Sequence, residues 1–214
     1  MDFTTLDKTM SAELEIQRSR FIALAARADS EGTAREVIEA ERRKYPDARH
    51  HCSAFTFLPE GWESGAMPVT RSSDDGEPSG TAGRPMLDVL VGSGLSNACV
   101  VVTRYFGGIK LGTGGLVRAY SGAVSAVLDG APRLQVSQLP VVSFQVELSK
   151  APALESWLRS RGLVPLSIEW KERATFRIAL ADIDETALAT ALSEQLATAI
   201  TLTPDGIQTV EKPA

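Results

Sequence analysis

The chain has 214 residues, 43% of them hydrophobic and 23% charged, with a formal net charge of −5. That length suits one large domain or two small ones, and the composition is ordinary for a globular protein. The acidic balance excludes wholesale wrapping by nucleic acid, so any RNA contact has to be a local patch of clustered Lys and Arg.

The first residues, MDFTTLDKTM, carry neither a basic n-region nor an apolar h-region. No run approaches the roughly 18 apolar residues of a membrane span. With Cys52 and Cys99 as the whole thiol complement, no disulfide framework is implied, and a cytoplasmic protein without a membrane partner is expected.

Residues 12–28 are expected as one or two strands. Residues 33–46 predict a helix striped by Ala34, Val37, Ile38 and Glu41 and ended by Pro46; its basic end, ERRKYP, complements the helix dipole. Residues 50–58, HHCSAFTFL, read as a strand that puts His50 and Cys52 on one face and His51 on the other. Residues 70–85, TRSSDDGEPSGTAGRP, are too rich in turn residues for a regular element. A short helix over 85–92 begins at Pro85, and residues 98–106 form a buried strand by their β-branched run. Next comes RYFGGIKLGTGGLVRAY (104–120), with five glycines, three cations and no acid. It leads into a helix marked by Leu116, Val117, Tyr120, Val124, Val127 and Leu128.

Eleven of the seventeen glycines lie between Gly76 and Gly122, and only Gly162 and Gly206 lie beyond residue 135. The Gly- and Pro-bearing stretch 129–140 is the expected join, dividing the chain into domains 1–135 and 136–214. In the second, 141–148 alternates as a half-buried strand. Pro152 and Gly162 bracket a helix, 164–170 and 174–180 are strands around a charged turn, and Trp157 and Trp170 are expected in the core. Asp184 caps a helix carrying Leu188, Leu192 and Leu196, and 199–203 is the last strand before a frayed tail. The order is βαββαβ, the ferredoxin-like split, giving an α+β protein.

Three stretches carry candidate chemistry. Strand, glycine loop and helix aim free backbone N–H groups at an anion. The loop nevertheless fails the Walker pattern, lacking Gly-Lys-Ser/Thr, and fails G-x-G-x-x-G, because GTGGLV ends in valine. Glycines placed only for tight packing are the competing reading. Against that, the run from Val89 to Leu128 holds three cations and no acid, whereas solvated faces mix signs. The candidate ligand-binding set is Arg104, Gly107, Gly108, Lys110, Gly112, Thr113, Gly114, Gly115 and Arg118, joined by Ser73, Asp74, Asp75, Glu77 and Arg84 of the acidic loop. Asp74, Asp75 and Glu77 have oxygens for a hard cation but not the calcium-loop spacing, so neither a metal nor a cofactor is expected. His50, Cys52 and Asp75 are catalytic candidates, against a plain buried Cys with a hydrogen-bonded His.

Taken together, SRFIA, YPDARHHCSA, SDDGEPSGTAG and VVVTRYFGGIKLGTGGLVRAY resemble the signatures of the YigZ/IMPACT family over residues 18 to 130. The resemblance implies a first domain like the second domain of ribosomal protein S5 and a ferredoxin-like second domain, both similar to parts of translocation elongation factors. Eukaryotic members restrain a translation-control kinase by competing for its activator and carry an extra N-terminal domain for protein contacts, for which no room is expected here before residue 18. Some small-molecule kinases share the fold type, but GTGGLVRAY lacks their serine-rich phosphate loop.

The expected function is therefore a translation-associated regulatory binding protein. Its basic, glycine-rich surface would contact RNA, the ribosome, a translation factor or a phosphate-like anion. The alternatives are an enzyme acting on a small phosphorylated or acyl compound in the same cleft, and a protein-partner module using the ferredoxin-like sheet. The exposed edges of such a sheet permit pairing without requiring it, so the oligomeric state is open.

Overall fold

A computed structural model describes residues 2–60, 62, 65–181 and 183–214. The chain divides into two compact units, 1–136 with 212–214, and 137–211.

The first unit opens with β1 (Asp2–Leu6), absent from the sequence reading. Residues 12–28 resolve into the hairpin β2 (Met10–Ile16) and β3 (Ser19–Arg27). Helix α1 (Glu31–Lys44) starts on a Ser30–Thr33 capping box that satisfies the N–H groups a helix start leaves open. Strand β4 (His50–Phe57) follows, then β5 (Val69–Ser73), α2 (Gly83–Gly92), β6 (Ala98–Tyr105) and α3 (Gly112–Leu128). Strand β5 corrects the reading of 70–85 as irregular throughout: its first residues pair antiparallel with β4, and the loop begins at Asp74.

Strands β2 to β6 form an antiparallel sheet in the order β2-β3-β6-β4-β5, which does not include β1. Helices α2 and α3 cover one face, where Phe21, Cys52, Ala54, Val100, Val102, Met86, Leu90 and Tyr120 pack together. Helix α1 covers part of the other face over Phe55, Cys99 and Val101. The alternation that sends successive side chains to opposite faces thus serves two apolar layers, so β6 is buried along its length. Val117, expected in the α3 stripe, is 37% exposed; Ala119 and Ala123 take the buried positions.

Register decides what faces the helices. Phe21 and His50 are both paired with Arg104, one on each side of it. Directly opposed residues share a face, so an aromatic, a guanidinium and an imidazole stand in a row across the sheet.

The second unit is built on β7 (Arg133–Val146), α4 (Ala151–Ser160), β8 (Ser167–Trp170), β9 (Ala174–Ala179), α5 (Glu185–Leu196) and β10 (Thr203–Pro213). Strand β7 lies between β9 and β10, and β8 pairs the far side of β9, the spatial order of a ferredoxin-like βαββαβ unit. Its core is Val142, Phe144, Leu154, Leu158, Phe176, Ile178, Leu188 and Leu192. The protein is α+β.

Four expectations change here. The stretch around 136 is continuous strand. The last strand, expected over 199–203, begins only at Thr203 and runs to Pro213, because pairing with β7 holds residues whose own propensity, with Pro204, Asp205 and Gly206 in sequence, is poor. Trp170 is 54% exposed at the end of a four-residue edge strand. Leu148 lies beyond β7 and is 42% exposed. Among the described residues, no helix is long and apolar enough to cross a membrane.

Candidate ligand cleft

The acidic loop that follows β5 is organised by one carboxylate. Asp74 accepts the backbone N–H groups of Gly80 at 2.8 Å, Ala82 at 2.9 Å and Gly83 at 2.8 Å. Partial burial pushes its pKa up, but these three donors outweigh that and hold it below the ordinary value. The Asp74 carbonyl in turn accepts the Cys52 thiol at 3.0 Å.

Asp75 faces the other way. It takes Arg42 at 2.7 Å and the His51 backbone N–H at 2.7 Å, while its carbonyl meets His50 Nδ1 at 2.9 Å. Glu77 turns inward, accepting Arg104 Nη1 at 2.6 Å and the Tyr120 hydroxyl at 2.8 Å. Burial drives the Tyr120 pKa far up, with the Cys52 thiol and Glu77 adding to it, so the hydroxyl keeps its proton and donates. The three loop carboxylates are thus each directed to separate protein donors rather than converging on a common point.

The loop and the glycine-rich stretch meet. Together they line a cleft of about 630 Å³, in the range of small-molecule sites. One side is Glu77 and Pro78. The other is Lys110, Leu111, Gly112, Thr113 and Leu116, with Arg104, Tyr105, Phe106 and His50 between them and Asp47 and Arg49 on the rim. The α3 start has no side-chain cap, so its first N–H groups keep their hydrogen-bonding capacity at the cleft edge.

Arg104 is not a surface cation. It is 6% exposed, and its Nε has no hydrogen-bond partner among the described residues. Lys110, Arg49 and Arg118 are exposed and enter no ion pair among the described residues. Arg118 folds back over the first turn of α3, where its guanidinium would lie 3.7 Å from a side chain placed on Gly114. Arg84 pairs with Asp88 on the outside of α2, and the Ser73 hydroxyl accepts the Asp75 N–H; neither lines the cleft.

The glycines separate by need. At Gly107 a Cβ would lie 2.0 Å from the Arg18 carbonyl carbon, a close approach that only glycine permits. Gly108 and Gly112 adopt φ of +86° and +69°, where the chain doubles back into α3. Gly115 would meet Leu111 at 3.0 Å. Gly114 has neither a positive φ nor a packing neighbour closer than the Arg118 guanidinium.

His50 and Cys52 share a face but have separate partners, the Asp75 and Asp74 carbonyls. Cys52 is fully buried, and burial pushes its thiol up to about 12. His50 turns Nδ1 to a carbonyl, not to sulfur. Asp47, Arg49 and Phe106 were not singled out, although they lie inside the family-like stretches YPDARHHCSA and VVVTRYFGGIKLGTGGLVRAY, and Tyr120 was missed as a polar group because it sits in an apolar helical stripe.

Similarity to known proteins covers this region and beyond. The Impact N-terminal domain profile matches residues 17–128. The chain is 39% identical over 169 residues to the IMPACT family member YigZ of Escherichia coli (strain K12), covering 78% of this chain and 79% of that protein. It is 35% identical over 174 residues to the IMPACT family member YvyE of Bacillus subtilis (strain 168), covering 81% and 77%. A solved crystal structure, described as that of a hypothetical protein, superposes with a TM-score of 0.60 at 33% identity over 94% of this chain and 96% of that one.

Proposed function

The chain belongs to the IMPACT family, and from that membership we propose a translation-associated regulatory binding protein that grips the phosphate backbone of RNA at the cleft beside α3. One observation carries this reading. The acidic loop and the glycine-rich stretch enclose a cleft lined by Arg49 and Lys110, cations that enter no ion pair among the described residues. The free N–H groups at the start of α3 add donors of the same polarity. The buried Arg104–Glu77 pair is self-neutralised, so it shapes the floor and leaves attraction to the rim.

A thiol-based enzyme is the weaker reading, because Cys52 lacks both the access and the thiolate character that nucleophilic catalysis needs.

Fluorescence anisotropy of a labelled RNA oligomer, titrated across salt concentrations, tests the proposal. Affinity should fall linearly on a log–log plot with salt. Arg49→Ala with Lys110→Ala should weaken binding by about tenfold at low salt and flatten the slope by roughly 1.5, two phosphate contacts' worth. An unchanged affinity and slope in the double variant would overturn it.

A further inference from the structure

We propose that the cleft takes an unpaired nucleotide, with its base stacked on Phe106, so that the protein selects single-stranded over duplex RNA. This rests on the RNA reading above and adds what kind of RNA.

Phe106 is 56% exposed, a large aromatic left in water in the same cleft as Arg49 and Lys110. It is nonetheless held. The Arg104 guanidinium carbon lies 5.6 Å from the Phe106 ring centroid and 5.4 Å from that of Phe21. Phe21 is fully buried and meets Tyr120 edge-on at 5.3 Å. A connected series therefore runs from the core to solvent: Tyr120, Phe21, Arg104, Phe106. Glu77 fixes two of its members by hydrogen bonds.

The backbone is fixed as well. Gly107, the next residue, is wedged against Arg18 and donates its N–H to the Ser19 hydroxyl at 3.1 Å. An aromatic ring that is exposed but already immobilised gives up little entropy when a second ring lands on it.

The chemistry around that ring selects the occupant. A base offers a flat π face, and base–aromatic stacking tolerates any sequence. The phosphates flanking it would meet Lys110, Arg49 and the N–H groups at the start of α3. In an A-form duplex the bases are stacked on one another, and side chains cannot enter the narrow major groove. The platform therefore has no duplex use.

The test compares three probes at one low salt concentration: a single-stranded RNA of mixed sequence, the same RNA as a blunt duplex, and inorganic polyphosphate. Phe106→Leu should weaken single-strand binding by about tenfold and leave polyphosphate binding unchanged, while Phe106→Trp should retain it. The parent should bind the single strand at least severalfold more tightly than the duplex. Thermal melts of both variants should match the parent, because the ring is exposed. Equal binding of single strand and duplex, or no effect of Phe106→Leu on the single strand, overturns this inference while leaving the RNA reading standing. Absence of binding to all three probes removes both. Binding of intact ribosomes without binding of free RNA would make the face a protein-contact surface and also overturns it.

Discussion

Arg104 and Glu77, 27 residues apart in sequence, meet at 2.6 Å with side chains only 7% and 4% exposed. Removing one member of a buried pair leaves the other charge uncompensated, which costs about 3–5 kcal/mol. Glu77→Gln should therefore lose about 3 kcal/mol of unfolding free energy in urea, against about 1 kcal/mol for Tyr120→Phe, which deletes a single hydrogen bond. Equal losses would show that the charge itself contributes nothing.

Asp74 ties the loop through its ionised form. Its pKa is held below the ordinary value in the folded protein, so its stabilisation is complete above that ordinary value. It is lost as pH falls through the folded value. Asp74→Asn should cost about 2 kcal/mol at pH 7, and the gap between parent and variant should close in acid. A gap independent of pH down to acid unfolding would rule out the carboxylate as the source.

Both cysteines are fully buried, and burial pushes each thiol up to about 12. At pH 8 the native protein should react with a thiol reagent only as fast as it opens, and both thiols should react at once in denaturant. Rapid native labelling of one thiol would revive nucleophilic chemistry at Cys52.

Gly114 separates packing from ligand contact. In the α3 helix an alanine there should stabilise the fold by about 0.5–1 kcal/mol. The same methyl, set beside the Arg118 guanidinium at the helix start, should weaken RNA binding severalfold. A stabilised variant with unchanged affinity would show that no backbone ligand approaches this turn.

Asp47 is an exposed acid on the cleft rim, opposing Arg49 and Lys110. Asp47→Asn should tighten RNA binding by about threefold at low salt, with the gain fading as salt screens the rim. Weaker binding in this variant would assign Asp47 a direct contact.

Much of the architecture was legible in the sequence because local pattern and burial agree. The ferredoxin-like unit emerges from period-two strands and bracketed helices, with Asp184 accepting the Ala187 N–H as a cap should. The site was legible in part. Glycines and acids stood out, but their roles depend on register: Phe21 and His50 flank Arg104 only because both neighbouring strands pair with β6 at that residue. No local signal says that Glu77 turns inward while Asp75, two residues earlier, turns to α1. The same limit hid Arg104, which resembles Lys110 in sequence and differs from it only in what the fold lays over it. The place of β10, Thr203–Pro213 rather than 199–203, was hidden because it comes from its neighbour strand and not from its own residues.

The convergence of three amides on Asp74 has a kinetic meaning. Gly80, Ala82 and Gly83 share one acceptor group, so their amide protons should exchange with solvent in a single correlated opening. One wall of the cleft then behaves as a leaf hinged on one residue, either closed or swung away. An occupant that touches Glu77 or Pro78 would slow that exchange at all three amides together, so occupancy of the cleft can be timed from the loop and the first residue of α2.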